Sequence, residues 1–131
     1  MAPPLVVVDA SVWITFLRRR DSKEAGETIS LLRHGRAALT GIVLAEVLQG
    51  ARTEEEAAVL LRRFEPLPFL ETPLRAWKEA GRLGSELRAR GRPLPLTDLV
   101  IAATVMEHGA VLYTTDAHFE SIPSLLLHRA G

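Results

Sequence analysis

The sequence predicts a three-layer α/β domain in which helices cover both faces of a mostly parallel sheet. Three observations support this prediction. Short apolar runs alternate with longer segments of helical period along the 131 residues. The short runs are continuously apolar, which is typical of strands that are buried on both faces. No repeat, low-complexity segment or Ser/Gly-rich linker interrupts the chain, so we expect a single domain over residues 1–131.

Five short segments are predicted to form strands. The first is rich in β-branched residues (LVVVD) and ends on Asp9. The third is interrupted by Pro66 and Pro68, so we expect a short strand at a sheet edge. In chain order, the predicted strands lie in residues 5–9, 37–39, 64–70, 110–113 and 125–128.

Six helices are predicted between these strands, each with a start signal. Serine and threonine are favoured N-caps because their hydroxyl groups accept hydrogen bonds from free N–H groups in the first turn. Thr53 and Glu56 have the spacing of a capping box. Gly35 and Gly109 are predicted to end the second and sixth helices. In chain order, the helices are predicted to start at Ser11, about Ser22, Thr40, Thr53, Thr72 and Thr97, with Ser11, Thr53, Thr72 and Thr97 as caps.

The composition excludes several classes of protein. The chain has no cysteine, so it has neither a disulfide framework nor a thiol nucleophile. The longest apolar run near the start is LVVV, with no basic segment before it, so we expect no signal peptide or membrane span and a cytoplasmic protein. The formal net charge of zero argues against bulk attraction to nucleic acid. However, 14 of the 16 basic residues are arginine, and several are clustered.

Four acidic residues occupy positions that suggest a shared site. In parallel sheets, ligands bind beyond the carboxyl ends of the strands. Asp9 ends the first strand and Asp116 follows the fourth, whereas Asp98 lies in the first turn of a helix and Glu46 interrupts the apolar helix GIVLAEVLQG. A turn, a helix dipole or an outward-facing position would explain each acid singly. Together, the four positions predict convergence at one cleft.

Such a cluster needs a cation. Two carboxylates ~4 Å apart repel each other by roughly 1 kcal/mol in water and by about 4 kcal/mol at an effective dielectric constant of 20. Mg²⁺ or Mn²⁺ removes this conflict and prefers oxygen ligands, whereas the lack of cysteine and of paired histidines disfavours zinc. A divalent cation held by carboxylates suits the hydrolysis of phosphodiester bonds.

The chain resembles the PIN-domain ribonucleases, and among them the VapC-type toxins of toxin–antitoxin pairs. The segments that carry this resemblance are VVVDASVWI, GIVLAEVLQGA, PLPLTDLVIAATVMEHGA and LYTTDAHF. The resemblance implies a sheet with strand order 3-2-1-4-5. It also implies a Mg²⁺- or Mn²⁺-dependent endoribonuclease that cleaves RNA, is usually a homodimer, and pairs with a cognate antitoxin.

The resemblance also assigns roles to residues. It implies that Asp9, Glu46, Asp98 and Asp116 form the catalytic cluster, and that Asp9, Asp98 and Asp116 bind the metal. Ser11 and Thr114 match hydroxyl residues that orient the site. Some relatives have a further aspartate where this chain has His118, which we expect at the rim or in a turn. We expect arginines on the rim to hold RNA, with Arg18–Arg20, Arg90 and Arg92 as the candidates.

Other classes of protein with acids at strand ends would require different residues in the pocket. A receiver-type domain needs a lysine in the pocket, but Lys23 and Lys78 lie within predicted helices. A haloacid-dehalogenase-type phosphatase needs a second aspartate two residues after the first, where this chain has Ser11. Two alternatives remain open: a PIN-like module that binds RNA or protein without cleavage, and a nuclease that processes RNA without being a toxin.

Overall fold

In the part of the chain that the structure describes, the sheet has four parallel strands, which lie side by side in the order third, second, first and fourth. In this computed structural model, which describes residues 2–130, Val7 of the first strand pairs with Ala38 on one side and with Leu112 on the other. The predicted α/β class is confirmed, including a short third strand at the edge. The strands are β1 (Val6–Val8), β2 (Ala37–Thr40), β3 (Phe69–Leu70) and β4 (Val111–Tyr113).

The predicted fifth strand is the main difference from the expected order 3-2-1-4-5. Only a single parallel bridge, between Leu127 and Leu112, forms beside β4. His128 donates its N–H to the carbonyl of Leu112 at 2.7 Å, and its ring contacts Glu27 of a neighbouring helix at 2.5 Å. The chain enters this position from a turn at Ser124, which has φ +67°. The pairing is therefore too short to count as a strand, but it lies in the predicted place.

Among the residues that the structure describes, six α-helices surround the sheet. Three of the predicted helix starts are confirmed, because the hydroxyl groups of Ser22, Thr40 and Thr53 accept hydrogen bonds from the N–H groups of the first turns. The predicted capping box is only half formed, since the carboxylate of Glu56 accepts from the N–H of Arg52 and not from that of Thr53. The helices are α1 (Ala10–Arg18), α2 (Lys23–Arg33), α3 (Gly41–Gly50), α4 (Glu54–Phe64), α5 (Leu74–Ala89) and α6 (Leu96–Glu107).

The other three predicted caps were wrong. The hydroxyl of Ser11 donates to Asp9, and that of Thr72 is hydrogen-bonded to Thr104 at 2.8 Å. Thr97 lies inside α6 instead of before it. Ser11 therefore uses its hydroxyl group in a local contact with the preceding acid, whereas Thr72 uses its hydroxyl group in a tertiary contact with α6. The three helices begin directly after Asp9, Pro73 and Pro95.

The core covers both faces of the sheet. Successive strand residues point to opposite faces, and Val6, Val7 and Val8 are all fully buried. Trp13 of α1 packs edge-on against Phe16 and Phe64, with ring centroids 5.8 and 4.9 Å apart. This tryptophan is therefore a core residue. Among residues 2–130, no helix has both the length and the hydropathy needed to cross a membrane.

Candidate active site

The sheet topology brings two of the acids together. Asp9 follows β1 and is the N-cap of α1, while Asp116 lies three residues beyond the end of β4. Since β1 and β4 are parallel neighbours, their carboxyl ends lie side by side. The N–H of Asp9 donates to the carbonyl of Tyr113 at 2.9 Å, which fixes the exit of β1 against the end of β4.

Two helices add the other acids. Glu46 lies in the middle of α3, which begins directly after β2, and Asp98 lies in the first turn of α6. All four carboxylates line one open pocket of about 450 Å³ at the carboxyl edge of the sheet. The remaining lining residues are Ala10, Ser11, Gln49 and Gly50.

The chemistry of its lining residues, and not its volume, distinguishes this pocket from the other cavities. Two cavities among residues 2–130 are larger, with volumes of about 640 and 530 Å³. The first contains a single acid, Glu27, and the second contains none. Titratable groups that converge and have perturbed pKa values are typical of reactive sites, and Asp9, Glu46 and Asp98 form such a group at the carboxyl edge.

Asp9 is the best-anchored of the four acids. It is only 7% exposed, and its Oδ2 atom accepts hydrogen bonds from the hydroxyl groups of Thr114 at 2.8 Å and Ser11 at 3.2 Å. Burial raises the pKa of Asp9, while these hydrogen bonds oppose the rise. Thr114 also accepts the N–H of Asp116 at 3.0 Å. One threonine therefore sets the relative position of both strand-end acids.

The two acids on the helices lack this support. Burial is the main cause that raises the pKa of Glu46, followed by the negative charges of Asp9 and Asp98. Burial likewise raises the pKa of Asp98, followed by the charges of Asp116 and Asp9. Neither carboxylate has a hydrogen-bond donor among the described residues. The pocket therefore holds two carboxylates that no described hydrogen-bond donor stabilises.

His118 lies at the outer end of this cluster. Its N–H donates to Oδ1 of Asp116 at 2.9 Å, and its ring atom Nδ1 lies 3.3 Å from the same oxygen. One ligand atom each from Asp98, Asp116 and His118 lie within 4.8 Å of one another. His118 lies in the 3₁₀ helix Ala117–Ser121 and is exposed at the rim, as expected, but its ring faces the acids.

This donor set fits a divalent cation. Adjacent ligands of an octahedral ion with bonds of about 2.1 Å lie about 3.0 Å apart, and opposite ligands lie about 4.2 Å apart. The ligand atoms of Asp98, Asp116 and His118 lie within 4.8 Å of one another, so the three residues are close enough to bind the same ion. Carboxylate oxygens are the ligands that Mg²⁺ and Mn²⁺ prefer. No lysine or arginine lines the pocket to take the place of a cation.

The arginines predicted at the rim differ in their surroundings. Arg18 donates to the carbonyl of Gly50 at 3.1 Å, which places it beside the pocket, and it also pairs with Glu56 at 3.3 Å. Arg90 is paired with Glu86 at 3.0 Å. The contribution of these arginines to RNA binding stays a prediction.

Sequence reasoning did not identify Gln49 as part of the pocket. A signal for it existed, because residues three apart on a helix share a face and Gln49 follows Glu46 by three. Gly50 was also missed, and its place on the wall reflects close packing, since a Cβ atom there would lie 3.6 Å from Ile14.

The fold and the pocket define a class: α/β domains whose acidic cluster lies at the carboxyl edge of a parallel sheet. The sequence matches the PIN domain over residues 6–125, and the chain belongs to that family. It is similar to the curated ribonuclease VapC11 of Mycobacterium tuberculosis H37Rv, with 29% identity over 90% of this chain and 91% of that protein.

Solved structures show the same fold. One is the DNA-bound VapBC of Salmonella typhimurium, with 22% identity, a TM-score of 0.82, and coverage of 96% of this chain and 98% of that one. Another is VapBC-5 of Mycobacterium tuberculosis, a member of the VapBC family of toxin–antitoxin systems, with 26% identity, a TM-score of 0.66, and coverage of 95% and 94%. The resemblance to VapC-type proteins is therefore confirmed.

Proposed function

We propose that this protein is a Mg²⁺- or Mn²⁺-dependent endoribonuclease that hydrolyses phosphodiester bonds of RNA. The observation that carries this proposal is the convergence of four carboxylates on one pocket of a PIN domain, with no lysine or arginine among the described lining residues. The similarity to a curated ribonuclease over nine-tenths of the chain supports the same reaction class.

The residues of the pocket have different roles in this proposal, which follow from their surroundings. Asp9, Asp98 and Asp116 hold the cation, with Asp9 kept in one orientation by the hydroxyl groups of Thr114 and Ser11. When bound, the cation supplies Lewis-acid stabilisation of the charge that develops on the phosphate. A carboxylate oxygen of Glu46 accepts the proton of the attacking water molecule. The raised pKa of Glu46 suits this role, because a more basic carboxylate is a better general base.

The test is cleavage of a structured RNA by the purified chain. We expect cleavage with Mg²⁺ or Mn²⁺, none with EDTA, and none from an Asp9→Asn variant. Asp21→Asn is the matched control, because Asp21 is the one aspartate outside the pocket. Cleavage that persists in EDTA or in Asp9→Asn would refute the mechanism. RNA binding without cleavage under every condition would favour a non-enzymatic PIN-like module.

We propose a toxin role and a cognate antitoxin as partner. The support is the similarity to VapBC complexes. An antitoxin segment with basic side chains would match the uncompensated acids of the pocket. Expression of the chain should arrest growth, and co-expression of the neighbouring reading frame should restore it. Normal growth with active RNA cleavage would favour a nuclease that processes RNA.

We also propose a homodimer, as the resemblance implies. Three apolar side chains are exposed beside a shallow pocket at the β3 edge: Phe69 (45%), Leu74 (69%) and Trp77 (49%). Light scattering should give twice the mass of the 14.4 kDa chain, and Trp77→Glu should shift the protein towards the monomer. A wild-type monomer at micromolar concentration would contradict this proposal.

A further inference from the structure

We infer that His118 is a metal ligand of this protein and that its imidazole makes the site prefer transition-metal ions over Mg²⁺. This inference rests on the proposed metal-dependent function. It concerns a residue that lies outside the four acids and adds a nitrogen ligand to a site that otherwise offers only oxygen.

Local backbone geometry fixes the position of the ring. Asp116 caps the 3₁₀ helix Ala117–Ser121 by accepting the N–H of His118 on Oδ1. The resulting tight turn folds the His118 side chain back, so that Nδ1 lies 3.3 Å from that oxygen. This separation matches two adjacent ligands of one ion, which lie about 3.0 Å apart. The turn thus brings both residues to one cation position without help from the core.

Asp98 completes this position from another element. Its ligand atom lies within 4.8 Å of those of Asp116 and His118, although α6 precedes β4 in the chain. Three ligand atoms, one from α6 and two from the segment that follows β4, therefore lie close together, and two of these residues are half-buried whereas Asp9 is buried. The His118 side chain is 66% exposed, so an ion can approach it from solvent.

The chemistry of the ligands predicts selectivity. Mg²⁺ favours oxygen ligands and retains several of its waters. Imidazole suits transition-metal ions, and affinities for them at mixed nitrogen and oxygen sites rise from Mn²⁺ to Co²⁺ and Ni²⁺. A simple ion pair between protonated His118 and Asp116 is the competing explanation for their contact. That explanation predicts weaker binding of every cation, because the positive charge would oppose them all.

The experiment measures metal binding by the full chain after treatment with EDTA. Titration calorimetry with Mg²⁺, Mn²⁺ and Co²⁺ gives the ratio of dissociation constants for wild type, His118→Ala, His118→Asp and the control His34→Ala. His34 is exposed at the opposite edge of the sheet, beside Gly35 and Arg36. We expect wild type and the control to bind Co²⁺ at least about tenfold more tightly than Mg²⁺.

The variants should lose this preference in different ways. His118→Ala should weaken Co²⁺ binding by ~10–100-fold, with a much smaller effect on Mg²⁺. His118→Asp should retain Mg²⁺ binding and lose the preference for Co²⁺. Electron spin echo spectra of the Mn²⁺ complex provide a direct readout, because coupling to a bound nitrogen should be present in wild type and absent in His118→Asp.

The outcomes separate the two proposals. Unchanged metal ratios in both His118 variants, or tighter binding of every cation by His118→Ala, would overturn the ligand role. In either case the metal-dependent function would still stand. If wild type binds none of the three cations, the proposed function fails as well.

Discussion

Replacing Asp98 with asparagine should stabilise the metal-free protein. Ligand atoms of Asp98 and Asp116 lie within 4.8 Å. Two charges at that distance repel by about 0.9 kcal/mol in water and by about 3.5 kcal/mol at an effective dielectric constant of 20. Asp98 is only half-buried, so screening keeps the gain between these limits. Loss of a negative charge from the first turn of α6 costs about 0.3–1 kcal/mol.

The net gain in the free energy of unfolding is therefore about 1–2 kcal/mol. For a chain of 131 residues this corresponds to a rise in Tm of roughly 3–8 °C. The assay is thermal denaturation at neutral pH in EDTA, with Asp21→Asn as the control. Addition of Mg²⁺ should raise the Tm of wild type, because the ion binds the folded site, and should raise that of Asp98→Asn much less. The variant should also lose RNA cleavage.

The pH dependence of stability provides a second test of whether Asp98→Asn stabilises the protein. The pKa of Asp98 is raised above 3.8 in the folded state, so the folded protein holds this proton at a higher pH than the unfolded chain does. Ionised Asp98 therefore destabilises the folded protein fully above the raised pKa. This destabilisation disappears as the pH falls towards the ordinary pKa of aspartate. The advantage of Asp98→Asn in Tm should shrink over the same range. A variant that is no more stable than wild type in EDTA at neutral pH would refute the argument that the acids repel one another.

Two further predictions concern the hydroxyl group of Thr114 and the glycines of α5. Thr114→Val removes the shorter of the hydroxyl bonds to the buried Asp9 carboxylate, so it should lower the free energy of unfolding by about 1–3 kcal/mol and weaken Mg²⁺ binding by ~10–100-fold. Calorimetry measures both, and unchanged metal affinity would contradict the role of this hydroxyl. Gly81→Ala has open space within α5 and should stabilise the protein by about 0.5–1 kcal/mol. Gly84→Ala would place a Cβ atom 2.9 Å from Leu99 and should be at least ~1 kcal/mol less stable than Gly81→Ala in chemical denaturation. Equal stability would show that Leu99 moves freely.

Local sequence patterns were sufficient where a single physical signal acts. Continuous apolar strands and helical periods predicted the α/β class, and the hydroxyl groups of Ser22, Thr40 and Thr53 accept N–H groups of the first helical turns. Prediction failed at Ser11, whose hydroxyl donates to the acid two residues before it, and at Thr72, whose partner Thr104 lies in α6. A cap is a local preference of about 1 kcal/mol, so one other hydrogen bond can outweigh it.

The amino-acid sequence alone shows which chemistry is available: carboxylates at strand ends, no cysteine, and an acid within an apolar helix. The distances between these groups follow from the packed fold. It joined Thr114 to both Asp9 and Asp116, and it brought the His118 ring within reach of Asp98. The physical reason is that a strand or helix fixes the face on which a side chain lies, whereas the separation of two groups from different elements depends on how those elements pack.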